Sequence, residues 1–309
     1  MMDTTAHHIA VIGAGLMGHG IALTFARAGH RVSITDPVPE ARETVTDRMA
    51  QSMAAMGDDD ASIAAALKLI TIAETTADAV KTATVVFEAA PEKMTLKQKI
   101  FAEIEAHAPE TCILASNTSV MPITEIMSGL RLQNRALGTH WWNPPHMIPL
   151  VEVIRTKWTD PDVAQTMFDL LEGAGKTPVM VAKDVPGFIG NRLQHALWRE
   201  AISLVENGIC DAEAVDTVIK SSFGRRLAVL GPLENADLVG TDLTLDIHEN
   251  VLHDIEARQG PSPYLQQLVA EKRLGMKTGE GFRKWTVAEA DAVRARVASH
   301  LKKLEKILE

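Results

Sequence analysis

A glutamate set among aliphatic neighbours is the first residue of this chain that calls for chemistry. Glu152 stands within Leu150-Val151-Glu152-Val153-Ile154, a run that otherwise reads as a buried strand. A carboxylate buried there without a partner would cost several kcal/mol, so it needs one. His140 ends the preceding apolar run and is the natural partner. A carboxylate on the Nδ1–H of an imidazole fixes the tautomer and leaves Nε2 open to take a proton. General-base help of that kind is what the oxidation of an alcohol by a nicotinamide requires, beyond positioning. The chain has 11 histidines, and His146 is the competing candidate. It follows Pro144 and Pro145 in a connecting stretch that supplies no buried acid to orient it.

The second constellation is Gly13-Ala14-Gly15-Leu16-Met17-Gly18, which follows the apolar run Ile9-Ala10-Val11-Ile12 and opens a helical pattern. In a strand–turn–helix, Gly13 permits the tight turn, Gly15 lets the backbone approach a pyrophosphate, and Gly18 lets helix and strand pack closely. The free N–H groups at the start of the helix, around Leu16 and Met17, then receive the phosphates. Asp36 closes the next strand about 20 residues further on, where an acid binds both ribose hydroxyls and repels the extra phosphate of NADP. The spacing predicts NAD. The alternative is that Asp36 caps the helix after Pro37.

These residues need elements to hold them. Strand-like runs at 9–12, 32–35, 85–88, 112–115, 136–139, 150–154 and 179–182 alternate with helical stretches at 16–28, 39–53, 96–107 and 161–172. That alternation predicts a sheet covered on both faces. Asp184-Val185-Pro186-Gly187-Phe188 breaks the pattern, and beyond it only helical periodicity is found, at 193–206, 212–220, 243–257 and 264–271. The expected fold is α/β: a Rossmann-type, mostly parallel sheet domain over residues 1–185, then an all-helical C-terminal domain over 186–309. Gly57-Asp58-Asp59-Asp60 reads as a solvated turn. Residues 287–309 read as a terminal helix with Val297, Leu301, Leu304 and Leu308 on one side, packed on its own domain or against another subunit.

The formal net charge of −9 excludes nucleic acid and anionic membrane as expected partners, since both need clustered cations. No run of about 20 apolar residues could span a bilayer. The two cysteines, Cys112 and Cys210, form neither a disulfide framework nor a metal-binding pair, so no metal is expected. The run from Met1 to His8 lacks the basic and apolar regions of a secretory signal, and the reading is a cytosolic protein with a small-molecule ligand.

Four segments taken together resemble the L-3-hydroxyacyl-CoA dehydrogenase superfamily. They are Gly138 to Glu152, Ser116-Asn117-Thr118-Ser119, Lys183 through Arg192, and Lys277-Thr278-Gly279-Glu280-Gly281-Phe282. The resemblance runs from residue 8 to about residue 285, in the family's order and near its spacing. It implies a His140–Glu152 catalytic pair, with the hydroxyl of Ser119 and the amide of Asn191 holding the substrate oxygen. It also implies that Glu92, Lys97 and Asn117 border the cofactor, and that the helical domain pairs with its twin in a homodimer. From the residues alone, Ser119 could equally cap a helix, Asn191 could pin a turn, and Glu92 with Lys97 would be a helix-surface pair.

The substrate is open between two kinds. Acyl-CoA members of the family carry lysines on the helical excursion after the second strand. Residues 47–66 here hold Arg48 as their sole cation and add Asp58, Asp59 and Asp60. The segment from Phe223 to Glu234 resembles the branch of L-gulonate 3-dehydrogenase/λ-crystallin and L-carnitine dehydrogenase, in which Arg226 matches an arginine able to clamp a carboxylate. The loop from His140 to Pro149 resembles that of 5-formyl-3-hydroxy-2-methylpyridine-4-carboxylate dehydrogenase. Trp141 and Trp142 would suit a flat or compact substrate there, or pack between domains. The expectation is a small free 3-hydroxy acid, with an acyl-CoA thioester as the alternative. Another class would be a catalytically silent, NAD-binding structural protein. A decarboxylating hydroxyacid dehydrogenase would need a lysine in the first helix of the helical domain, and residues 187–206 contain none.

Overall fold

The computed structural model describes residues 7–308, apart from the side chains of residues 305, 306 and 308. The first six residues of the segment read for a signal, and the side chain of Leu308, lie outside the described residues. Two compact units emerge, Met1–Arg192 with Leu301–Glu309, and Leu193–His300. The linker residues that follow Asp184 therefore group with the first unit as far as Arg192.

The first unit is built on an eight-stranded sheet in the order β3-β2-β1-β4-β5-β6-β7-β8. The strands are β1 (His8–Ile12), β2 (Arg31–Thr35), β3 (Ile70–Ile72), β4 (Val85–Glu88), β5 (Ile113–Ser116), β6 (Ala136–Trp141), β7 (Leu150–Arg155) and β8 (Thr177–Val181). All neighbours pair in parallel except β6 with β7. Only residues 142–149 separate those two strands, too few for the crossover that a parallel pair needs. β3, not anticipated from the sequence, is a three-residue edge strand with two exposed residues.

Around the sheet lie α1 (Leu16–Arg27), α2 (Pro39–Glu43), α3 (Val45–Met56), α4 (Asp60–Leu67), α5 (Thr76–Val80), α6 (Met94–His107), α7 (Ile123–Ile126) and α8 (Pro161–Gly173). Strand β1 shows why both faces are dry. Ile9 and Val11 enter one core with Phe25 and Phe87, while Ala10 and Ile12 enter the other with Phe101 and Leu114. Full burial of side chains of this size stabilises by roughly 1.5–3 kcal/mol each.

The solvated turn expected at 57–60 joins two helices, and it is held in place. Gly57 ends α3 in the left-handed conformation, φ 101°, and Asp59 caps α4 by accepting from Ser62 N at 2.8 Å. Asp58 pairs with Arg27 at 2.8 Å, so two of the three acids are engaged locally.

The second unit contains most of α9 (Gly190–Glu206), then α10 (Ala212–Ser221), α11 (Pro232–Val239), α12 (Thr241–Val251), α13 (Pro263–Ala270) and most of α14 (Val287–Leu308). The sequence pattern predicts one helix over 243–257. The structure has α12 ending at Val251, with α11 as an additional helix opened by Pro232. Among the described residues, the only β-structure in this unit is isolated bridges around Glu280.

Candidate active site

Antiparallel pairing sets His140 of β6 directly opposite Glu152 of β7, so the two side chains leave the sheet on one face. Nδ1 of His140 and Oε2 of Glu152 are 2.7 Å apart, and the residues are 4% and 1% exposed. The other oxygen of Glu152 accepts from Ile189 N at 2.7 Å and from Gly190 N at 3.1 Å. These amides lie at the start of α9, where helix N–H groups lack intrahelical partners and the dipole favours an anion. Burial alone would push the Glu152 carboxyl up. The bonds from His140, Ile189 and Gly190 outweigh it and hold the group below the usual carboxylate range.

Among the described residues, the imidazole has Glu152 as its hydrogen-bond partner on Nδ1 and none on Nε2. Its ring is flanked by Trp142 at 5.1 Å and Phe188 at 5.5 Å between centroids. Gly190 makes room for that arrangement, since a Cβ there would stand 2.4 Å from Cζ2 of Trp142. The competing histidine has a different setting. His146 packs 5.7 Å from His19, and burial, followed by the charges of His19, Lys176 and Arg27, pushes it down to about 4. No carboxylate orients it among the described residues.

Alternation along a strand puts Trp141 on the opposite side of β6 from His140. It is 2% exposed and lies edge-on to Phe25 and Phe87, inside the core of the first unit. The expectation that Trp141 meets substrate is therefore corrected. Trp142 is the tryptophan that shares the face of His140.

A second polar cluster sits at the carboxyl ends of β4 and β5. Ser119 is half-buried, and its hydroxyl donates to Glu92 Oε1 at 3.0 Å while its N–H donates to the same oxygen at 2.7 Å. Glu92 Oε2 accepts from Thr118 Oγ1 at 2.8 Å. Asn191, 9% exposed, donates its amide to the carbonyl of Ser119 at 2.7 Å, not to the hydroxyl. Asn117 donates its N–H to Glu88 O at 2.7 Å and accepts on Oδ1 from Trp141 N at 3.2 Å. Since Gly190 serves Glu152 and Asn191 serves Ser119, the start of α9 ties the two clusters together.

Lys97 differs from its expected place. The spacing suggested a surface pair with Glu92 and the resemblance a residue bordering cofactor, yet Lys97 is 0% exposed. Its ammonium lies 2.7 Å from Glu88 Oε1, 3.1 Å from Ala90 O and 3.7 Å from Glu92 Oε2. With no accessible surface it reaches a ligand only through Glu92. Glu88 was given no role from the sequence, and Ser116 was named only as part of its segment. Glu88 carried the same signal as Glu152, an acid in an apolar strand, but at its last position, where a strand end reads as solvated.

The glycine-rich turn fits a dinucleotide. Gly13 has φ +110°, and a Cβ there would lie 2.7 Å from Ala89 O. At Gly18 a Cβ would fall 1.7 Å from Gly13 O, whereas at Gly15 it would meet nothing within 4 Å. The backbone at Gly15 is thus open to close approach. Leu16, 60% exposed, and half-buried Met17 begin α1 beside it. Asp36 accepts from Ala14 N at 2.7 Å and Val38 N at 2.9 Å. The carboxylate serves the turn, and each oxygen keeps a lone-pair site for a hydroxyl.

Arg226 belongs to the second unit, exposed, and its guanidinium has no hydrogen bond or ion pair among the described residues. No group of three or more His, Cys, Asp or Glu that could hold a metal ion occurs among the described residues. No described helix is long and apolar enough to cross a membrane.

Comparison with known proteins places these features in a family. Residues 8–185 match the 3-hydroxyacyl-CoA dehydrogenase NAD-binding domain, and residues 187–285 match the 3-hydroxyacyl-CoA dehydrogenase C-terminal domain. The 5-formyl-3-hydroxy-2-methylpyridine 4-carboxylate 5-dehydrogenase of Mesorhizobium japonicum is 36% identical over 98% of this chain and 98% of the relative. Human mitochondrial hydroxyacyl-coenzyme A dehydrogenase is also 36% identical, over 90% of this chain and 91% of its own. A crystal structure of a 5-formyl-3-hydroxy-2-methylpyridine 4-carboxylic acid 5-dehydrogenase, described as an NAD+-dependent dismutase, superposes with a TM-score of 0.90. It is 33% identical and covers 98% of this chain and 99% of that one.

Proposed function

Because the chain belongs to the 3-hydroxyacyl-CoA dehydrogenase family and is an NAD-dependent oxidoreductase acting on CH–OH donors, we propose that it oxidises the hydroxyl of a small free 3-hydroxy acid to the 3-oxo acid. The observation that carries the chemistry is the 2.7 Å contact between His140 and Glu152. With Nδ1 held by the carboxylate, Nε2 removes the hydroxyl proton, and Glu152 stabilises the imidazolium that forms. Ser119 and Asn191 position the substrate oxygen. NAD held at the glycine-rich turn would supply the hydride acceptor. The turn from Gly13 to Gly18 would hold its pyrophosphate, with the open backbone of Gly15 and the helix-starting N–H groups of Leu16 and Met17 facing it. Asp36 selects the unphosphorylated adenosine ribose, with Glu92 and Asn117 at the nicotinamide side.

A free acid is favoured over a thioester on two grounds. A relative named for a pyridine carboxylate matches nearly the whole chain, whereas the hydroxyacyl-coenzyme A relative of equal identity matches less of it. The exposed, unpaired Arg226 is available to a carboxylate. The second reading, an acyl-CoA substrate, rests on that equal identity. A panel of free 3-hydroxy acids, pyridine carbinols and 3-hydroxybutyryl-CoA, read by NADH absorbance, decides between them. If 3-hydroxybutyryl-CoA has far higher kcat/KM than every free acid, the free-acid reading fails. No NADH from any of them would leave the silent structural protein.

The same reading makes the protein a homodimer. In Leu193–His300 the buried apolar residues are Leu268 and Ala290, while Leu233, Leu238 and Val229 are 80%, 72% and 67% exposed. A second copy covering these faces accounts for a unit that otherwise buries so little. Light scattering that gave the mass of a single chain at micromolar concentration would contradict it. The free thiols of Cys112 and Cys210 suit a reducing, cytosolic setting.

A further inference from the structure

Glu88 and Lys97 form a charge pair with no accessible surface, at the carboxyl ends of the strands that carry the site. Glu88 lies opposite Ser116 in the register of β4 with β5, and Ile12, just before the glycine-rich turn, is its neighbour on β1. Oε1 of Glu88 accepts from Lys97 Nζ at 2.7 Å and from Ala90 N at 2.7 Å, and Oε2 accepts from Ser116 Oγ at 2.6 Å. Both carboxylate oxygens are thus engaged, Oε1 twice and Oε2 once. Burial pushes the Glu88 carboxyl up, against the pull of Lys97, Ser116 and Ala90.

Stability gives little reason for such a pair. Two well-packed apolar side chains of similar volume generally serve a fold as well or better. What the pair adds is a fixed ammonium under an exposed loop. Pro91, Glu92 and Lys93 are exposed, and a carboxylate on such a loop would sample several positions by itself. Lys97 Nζ, 3.7 Å from Glu92 Oε2, is the cation that pairs with it among the described residues. The carboxylate of Glu92 in turn holds the N–H and hydroxyl of Ser119 and the hydroxyl of Thr118. A continuous polar chain therefore runs from the interior of the sheet to Ser119.

We propose that Glu88 is a positioning residue: by fixing Lys97 it fixes Glu92, and Glu92, which accepts from both the N–H and the hydroxyl of Ser119, fixes the place from which Ser119 Oγ meets the substrate oxygen. This rests on the role given to Ser119 above. Lys97 belongs to the same device and acts through Glu92.

The test is a double-mutant cycle on kcat/KM, with 3-hydroxybutyrate or 3-hydroxybutyryl-CoA as substrate, whichever turns over faster. Glu88→Gln/Lys97→Met removes both charges and keeps the volumes. The expected loss is about 10–100-fold in kcat/KM, with the Kd for NAD within about 3-fold of wild type. Ser119→Ala alone is expected to lose a similar factor. In the Ser119→Ala background the Glu88→Gln/Lys97→Met change should then cost less than about 3-fold, because both act through one hydroxyl. Additive losses would overturn the proposal, as would a paired-charge variant with wild-type kcat/KM. Wild-type activity in Ser119→Ala would instead sink the role of Ser119 itself. If the double substitution fails to fold, Lys97→Met alone, in which Glu88 takes up a proton, runs the same cycle and is read the same way.

Discussion

Two carboxylates of the sheet, Glu88 at the end of β4 and Glu152 within β7, have 1% exposure or less, and they are used differently. Glu152 faces an imidazole, whereas Glu88 faces an ammonium. Lys97 spends its protons on Glu88, Ala90 and the edge of Glu92, and nothing of it reaches the surface. His140 spends one ring nitrogen on Glu152 and keeps the other. A buried acid paired with lysine becomes part of the frame. A buried acid paired with histidine fixes its partner's tautomer and leaves the other ring nitrogen open to a proton. The difference in use lies in the partner, for both acids are buried in apolar strands, Glu152 within β7 and Glu88 at the end of β4.

If that contrast is right, the largest effect belongs to the imidazole pair. The His140→Gln/Glu152→Gln double variant should lose about 10²–10⁴-fold in kcat, and no more than His140→Gln alone. Summed losses in steady-state kinetics would break the view that the two work as a unit. Glu152→Gln by itself should lose about 10²-fold or more, since an amide can hold the wrong tautomer.

A third carboxylate, Asp36, sits outside both pairs and should affect cofactor choice alone. Asp36→Ala is expected to raise the Kd for NAD by about 10-fold or more and to narrow the preference over NADP. An unchanged preference, measured by titration with each cofactor, would assign Asp36 to the turn that Ala14 and Val38 already share with it.

The smallest effect concerns pH and the histidine set apart from the pair. Burial, with neighbouring charges, holds His146 at about 4 in the folded chain. The ordinary value is about 6.5, so as pH falls below that the unfolded chain takes up a proton first and stability declines towards pH 4. His146→Gln should lessen the fall in Tm between pH 7 and about pH 5. Part of the slope will remain, because burial also lowers His8, His19 and His30. An identical fall in both proteins would show that His146 is not held neutral.

Much of this architecture was legible in the residues, and the gaps have physical reasons. Apolar runs marked seven of the eight strands. β3 escaped because three residues at a sheet edge, two of them exposed, make no apolar run. The antiparallel turn of β6 into β7 could have been read from the short span between them. Trp141 was misassigned although strand alternation alone sends it away from His140. Burial of Lys97 was not legible, since it depends on Glu88 arriving from another element. Glu152 was legible because its apolar neighbours continue on both sides, whereas Glu88 ends its strand.

The most direct measurement is NADH formation by His140→Gln at saturating NAD, with the fastest substrate of the panel, alongside NAD binding followed by tryptophan fluorescence. The account predicts turnover reduced by at least about 10²-fold while NAD binds as in wild type. Wild-type turnover in that variant would contradict it, and another group would have to take the proton.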